Sequence, residues 1–347
     1  MSPFTSHLKQ TAIQLEKPER FTEVTQQLSE PLPGEARVRI RRIGVCGTDI
    51  HAFHGRQPFF SYPRILGHEL AAEIVSLNGE SDFAPGDLVA IEPYLNTPDS
   101  PASKKGKPNC CEELQVLGVH TDGGMRPQIN VPIRKLHRSS GCSPDQLALV
   151  EMLGIGRHAV NRSLAQPSDR ALVLGAGPIG LSVLSFLKLT TSETAVADLD
   201  DARLAFCREG LGINRTLQFN STTNKEAAIR DAFGGELPDL IFDATGNAQS
   251  MHSSFDLIAH GGRIVFAGLF QGDVTFHDPL FHRKEITLLS SRNATPSEFR
   301  EVITSIEEGS IDTAPWISHR LPLHEVPSRF PGLVSDPSLR KAVIYLD

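Results

Sequence analysis

Ala171-Leu172-Val173-Leu174-Gly175-Ala176-Gly177-Pro178-Ile179-Gly180 is the stretch on which the fold turns. A short apolar strand runs into G-x-G-x-x-G, and an uncharged apolar helix, Ile179 to Leu187, follows. Glycines at these spacings allow a tight turn and close approach of backbone to a pyrophosphate, whose charge meets free N–H groups at the helix N-terminus. Asp198 ends the next strand, eighteen residues after Gly180. An acid at that position accepts hydrogen bonds from ribose hydroxyls. Gly-x-Gly alone would be weak. Strand, helix and acid together exclude a chance glycine turn and predict a dinucleotide site on Gly175, Gly177, Pro178, Ile179, Gly180 and Asp198.

The acid also selects the nucleotide. A carboxylate facing the 2′-phosphate of NADP at close range is costly, so NAD is expected. Arg203, five residues on, is read as a cation over the adenosine, with a phosphate counter-charge and an exposed helix arginine as the other readings.

Outward from this motif the chain alternates apolar strands with helices. Candidate strands are Ala171–Leu174, Thr194–Asp198, Thr216–Phe219, Leu240–Ala244, Arg263–Gly268 and Ile286–Leu289. Such alternation predicts a doubly wound parallel sheet. The first ~150 residues lack this rhythm and read as β-rich. In Glu35–Arg41 the apolar Ala36, Val38 and Ile40 alternate with Arg37, Arg39 and Arg41, a strand with a solvated arginine face. Strands are also expected over Glu69–Leu77 and Asp87–Ile91. Residues 94–110, rich in Pro, Asn, Ser, Gly and Lys, read as a long exposed loop. Near the end, Thr295-Pro296-Ser297-Glu298 is a capping box, and Phe299, Val302, Ile303 and Ile306 form an apolar stripe closed by Gly309. This tail does not extend the alternation and is assigned to the first domain. The expected division is 1–151 with 292–347, and 152–291.

Composition sets outer bounds. The 347 residues carry 34 Lys and Arg against 41 Asp and Glu, a formal charge of −7 that opposes nucleic-acid binding. Five cysteines without even spacing suggest free thiols in a reducing compartment. The first twenty residues hold five charges and no apolar core, unlike a signal peptide. The uncharged run Ala171–Leu187 is 17 residues long and interrupted by glycine and proline, so no membrane span is expected. A soluble cytoplasmic protein is the expectation.

A second chemical signal lies upstream. Cys46, Thr48, Asp49 and His51 fall within six residues, His68-Glu69 follows, and Glu151 stands before the change of pattern. Thiolate, imidazole and carboxylate are ligand types Zn²⁺ accepts. No C-x-x-C marks them, and from the residues alone Cys46 reads more readily as a small buried apolar group and His68 as a structural histidine than as metal ligands.

Taken together, Val45–His51, Leu66–Glu69, Ala84–Val89, Gly175–Gly180, Asp243–Gly246 and Gly261–Val265 resemble, in order and over nearly the whole chain, the zinc-dependent medium-chain alcohol and polyol dehydrogenases. Phe276–Pro279, His282–Glu285 and Ser291–Pro296 look most like the sorbitol, threonine and sugar-acid 5-dehydrogenase branch. The resemblance implies a GroES-like catalytic domain plus a Rossmann domain, an α/β chain. It implies Cys46, His68 and Glu69 or Glu151 as catalytic zinc ligands, with Asp49 holding the tautomer of His68. One carboxylate at a time leaves the site neutral, with a fourth position open. It further implies NAD-dependent oxidation of a secondary alcohol of a polyol or sugar acid (L-gulonate or L-galactonate type) to a ketone. Thr48 would take the proton and pass it through the nicotinamide ribose to His51. Thr245, Gly268, Leu269 and Phe270 would contact the nicotinamide side of the cofactor and Arg340 the pyrophosphate. Arg292 and Asn293, just past the last strand, are candidates for a substrate carboxylate, with Arg56 as another. The lobe after residue 93 has Asn96, Asp99, Ala102 and Cys110 where the family often carries four cysteines, so a structural zinc is not expected. Ala72 and Met152 stand where the family usually has Gly and Pro. A homodimer or homotetramer is a family expectation. The competing readings are a zinc-free NADPH reductase of the same superfamily and a non-enzymatic sensor.

Overall fold

A computed structural model of the chain describes residues 8–58 and 60–346. The chain divides into two compact units, Met1–Glu151 with Thr295–Asp347, and Met152–Ala294.

The second unit is a six-stranded parallel sheet. Its spatial order is Arg215–Gln218, Glu193–Asp198, Arg170–Leu174, Leu240–Asp243, Arg263–Phe266, Thr287–Ser290. In chain order this is 3-2-1-4-5-6, the doubly wound arrangement of dinucleotide-binding folds. Each expected strand is present, displaced by a residue or two at its ends. Ala171, Leu172, Val173, Ala195, Val196, Leu240, Ile241 and Phe242 are buried, as parallel strands covered on both faces must be. The helix after the glycine turn runs Pro178–Thr190, longer than the apolar run suggested, with proline at its first position.

The first unit is built on a seven-stranded sheet. Strand Glu35–Gly44 lies antiparallel to Glu69–Asn78, with Gly44 opposite Glu69 and irregularities at Arg37/Val38 and Ile40/Arg42. Ala36, Val38 and Ile40 enter a core with Ile65, Leu66, Ile74, Val89 and Phe330. The arginine face differs from the solvated one expected. Arg37 donates to Ser29 O at 2.7 Å and is ion-paired to Glu30, while Arg39 and Arg41 both converge on Glu73. The reason is register, since Glu73 stands opposite Arg39.

Residues 94–110 are also not the exposed loop expected. Tyr94–Leu95 pairs with Gln115–Val116, Pro101–Lys104 is a helical turn capped by Ser100, and Pro108–Cys110 is a 3₁₀ turn. Tyr94, Asn96, Ser100 and Asn109 are buried. Hydrogen bonds tie the segment down. Arg134 donates to Asn96 Oδ1 at 2.8 Å and Asn96 O at 2.7 Å, and Asn96 Nδ2 donates to Ser103 Oγ at 2.9 Å. The composition cue fails because these polar side chains satisfy one another instead of water.

In the tail, helix Pro296–Glu307 has its capping box and buries Phe299, Val302, Ile303 and Ile306. The tail also holds a helix, Val326–Val334, and two paired strands, Ile317–Pro322 and Lys341–Tyr345, that the sequence reading did not single out. All five cysteines are free thiols, and burial pushes the Cys207 thiol up to about 12. Among the described residues no helix is long and apolar enough to cross a membrane.

Candidate metal centre and nucleotide cradle

The register of the first unit's sheet assembles the metal-type donors. Because Gly44 faces Glu69, Cys46 and His68 fall just past the same end of the paired strands. One donor atom each from Cys46, His68 and Glu69 lies within 4.8 Å of the others. His68 and Glu69 are buried and Cys46 is half-buried. Glycine at position 44 leaves room for the Glu69 carboxylate, because a Cβ there would lie 1.9 Å from Glu69 Oε2.

Cys46 caps the helix Gly47–Phe53, and its N–H donates to Asp49 Oδ2 at 2.9 Å. Asp49 Oδ1 stands 3.6 Å from His68 Nδ1. Burial pushes the Asp49 carboxyl up, against the charge of His68. Burial opposes a charged His68, yet the negative charges of Asp49 and Cys46 outweigh it and hold the imidazole well above its usual range. Thr48 and His51 are three residues apart on this helix and so share a face; Thr48 is half-buried and His51 exposed.

Of the two alternative carboxylates, Glu69 is the one within mutual reach of Cys46 and His68. Glu151, in the first turn of helix Val150–Ser163, accepts a hydrogen bond from Tyr94 OH instead. Burial raises its pKa, and burial together with Glu151 holds the Tyr94 phenol well above its usual value. Tyr94 and Lys341 are the residues that sequence reasoning missed. Lys341 is buried and ion-paired to Glu69 Oε2. A lysine opening an otherwise apolar strand is the signal the sequence offers; its neighbour Arg340 is exposed, and its backbone N–H donates to Ser318 Oγ.

The donor set fits a zinc ion. Asp49 Oδ1, His68 Nδ1 and Glu69 Oε1 are buried without hydrogen-bond partners, and such orphans are costly unless something else satisfies them. Thiolate, imidazole and carboxylate from three positions leave one tetrahedral position open.

The nucleotide-type residues gather at the carboxyl ends of the second unit's strands. Gly175 has φ +94°, and a Cβ there would crowd Thr245 Cγ2 at 3.0 Å. Gly177 caps the helix with open space where a Cβ would be, and a Cβ on Gly180 would lie 1.8 Å from Gly175 O. These are the turn, approach and packing roles the motif requires. Asp198 accepts from Ala176 N at 2.6 Å and Asp200 N at 2.9 Å, which fixes its carboxylate beside the glycine turn. Arg203, half-exposed, lies 4.0 Å from Asp198 and 3.8 Å from Asp200. Thr245 donates twice to buried Asp243, through N at 2.9 Å and Oγ1 at 2.6 Å. Gly268 lies beside Gly246, Leu269 is exposed and Phe270 half-buried. Arg292 and Arg56 are exposed, while Asn293 has φ +57° and a buried Nδ2 without a partner.

Comparison with known proteins converges on the same class. Residues 32–141 match the family model of the alcohol dehydrogenase GroES-like domain, and residues 178–308 that of zinc-binding dehydrogenases. The chain belongs to the zinc-type medium-chain alcohol dehydrogenase family and is an enzyme of that class. It is 41% identical to L-galactonate-5-dehydrogenase of Escherichia coli strain K12, over 92% of this chain and 95% of that protein. It is 31% identical to D-altritol 5-dehydrogenase of Agrobacterium fabrum, over 89% of this chain and 91% of that protein. The crystal structure of a short chain alcohol dehydrogenase from Escherichia coli CFT073 with NADH superposes with a TM-score of 0.91 at 27% identity, covering 97% of this chain and 99% of that one.

Proposed function

We propose that this protein is a zinc- and NAD-dependent dehydrogenase that oxidises a secondary alcohol of a sugar acid of the L-galactonate type to a ketone. The observation that carries the reading is the convergence of Cys46, His68 and Glu69 in a buried, otherwise unsatisfied cluster. The 41% identity to a named L-galactonate dehydrogenase supports the substrate class. The first unit is read as the catalytic domain and the second as the NAD-binding domain. Similarity to D-altritol 5-dehydrogenase favours a neutral polyol as the second reading.

Cys46, His68 and one of Glu69 and Glu151 would hold Zn²⁺; when bound, the ion supplies Lewis acidity that lowers the alcohol pKa, and the nicotinamide supplies the hydride acceptor. The chain's own residues do the rest. Asp49 orients His68 and sets its tautomer. Thr48 accepts the substrate proton, and exposed His51, one turn on, delivers it to water. The N–H groups after Gly175 bind pyrophosphate at the helix N-terminus, with Arg340 as a further cation. Asp198 accepts the ribose hydroxyls and repels a 2′-phosphate. Thr245, Gly268, Leu269 and Phe270 line the nicotinamide end, and Arg203 lies over the adenosine. Arg292 and Asn293 bind the substrate carboxylate. No structural zinc is assigned to the 94–110 lobe. The intact donor set opposes both a zinc-free NADPH reductase and a sensor. A homodimer or homotetramer in the cytoplasm completes the reading.

Purified protein assayed with aldonic acids and polyols, with NAD and NADP, tests it. Reduction of NAD by L-galactonate with one zinc per chain is expected. Activity only with NADPH and no metal would overturn it.

A further inference from the structure

Lys341 opens the strand Lys341–Tyr345, which pairs antiparallel with the end of Glu35–Gly44. Its side chain is 2% exposed, donates to Val45 O at 3.0 Å and is ion-paired to Glu69 Oε2. Neither Glu69 oxygen has a hydrogen-bond partner; Oε2 meets the Lys341 ammonium as an ion pair, and no ion pair reaches Oε1 among the described residues. Lys341 is also the cation whose charge acts on Cys46, Glu69 and Glu151 together. Glu151 is held by Tyr94 and stays outside the three-residue cluster.

We propose that Lys341 is a positioning residue that occupies one oxygen of Glu69 and so limits that carboxylate to a single metal-binding oxygen, keeping a coordination position open for the substrate alcohol. This rests on the reading of Cys46, His68 and Glu69 as a zinc site. A buried carboxylate without a counter-cation is drawn to whatever positive charge remains. With the ammonium gone, the metal is that charge. Carboxylates bind cations through one oxygen or two, and the second oxygen would fill the position a catalytic zinc must leave free. The ammonium prevents this by competing for the oxygen.

Cobalt(II) in place of zinc reports coordination directly, because its visible absorption weakens as ligands are added to a four-coordinate ion. Wild-type protein loaded with Co²⁺ is expected to show the intense four-coordinate spectrum. Lys341→Met is expected to show a weaker, shifted one and to retain zinc about tenfold more tightly in chelator competition, the scale on which groups behind the ligands tune a site. Lys341→Arg, which keeps the cation, restores the wild-type spectrum. If Lys341→Met does not fold, Lys341→Gln, which keeps a donor for Val45, carries the same expectation. An unchanged cobalt spectrum in the uncharged variant, or zinc lost more readily from it, overturns the proposal. A wild-type chain that takes up no metal overturns the zinc reading instead.

Discussion

Gly44 and Glu69 are cross-strand neighbours, and the space a side chain would fill at Gly44 is taken by the Glu69 carboxylate, 1.9 Å from where a Cβ would stand. Gly44→Ala therefore pushes Glu69 out of reach of Cys46 and His68 while leaving the donors themselves in the sequence. The expected outcome is a folded protein whose zinc affinity falls by about 10–100-fold, read by chelator competition. Wild-type affinity in this variant would mean that Glu69 is not a ligand.

Cys46→Ala removes the thiolate of the cluster, which belongs to the first unit, whereas the residues of the nucleotide cradle belong to the second. Zinc content and turnover should both vanish. The affinity for NADH, measured by its fluorescence, should stay within about twofold, well under the 1.4 kcal/mol that a tenfold change represents. Loss of NADH binding would contradict the separation of roles.

Asp198 is held in place by Ala176 N and Asp200 N, and in the proposed NAD site its carboxylate would repel a 2′-phosphate. Asp198→Ala should shift the ratio of kcat/KM for NAD over NADP toward NADP by about tenfold or more, or about 1.4 kcal/mol. An unchanged ratio would show that other groups set the preference.

Asn96 satisfies Arg134 through both its side-chain and backbone oxygens and bridges to Ser103. Asn96→Ala leaves the guanidinium short of an acceptor, at a local cost of about 1–3 kcal/mol. Trypsin should then cut faster at exposed Lys104 and Lys105, with global thermal unfolding little changed. Unaltered cleavage would place the restraint on the lobe elsewhere.

Glu307 accepts from Ser139 Oγ at 2.6 Å, Ser140 N at 2.8 Å and Gly141 N at 2.9 Å. The Ser139 hydrogen bond, with those of Gly141 and Ser140, lowers its pKa below 4.5. A depressed carboxylate contributes stability above its unfolded pKa and loses it as pH falls through the folded value. Glu307→Gln should thus lower Tm at neutral pH, with the gap to wild type closing as the pH falls through the depressed folded-state value and the carboxylate protonates. A gap independent of pH would mean that the charge plays no part.

The parallel sheet was readable because its signals are local. Apolar runs, glycine turns and caps act over three to ten residues, and Ala171–Gly180 carries strand, turn and helix start without help from the rest of the chain. Residues 94–110 show where local reading fails. Their polar composition resembles that of a solvated loop, yet Asn96 is paired with Arg134, far along the chain. The arginine face was misread for the same cause, since Glu73 belongs to the neighbouring strand.

Local spacing and residue type were enough to establish the nucleotide-binding turn, the acid that ends its second strand and the inventory of thiol, imidazole and carboxylate, because sterics and periodicity act between near neighbours. The pairing of distant strands did what no local pattern encodes. It brought Glu69 rather than Glu151 beside Cys46 and His68, set Tyr94 on Glu151 and buried Lys341 against Glu69. Register and burial depend on the whole sheet, and they alone choose which polar group meets which.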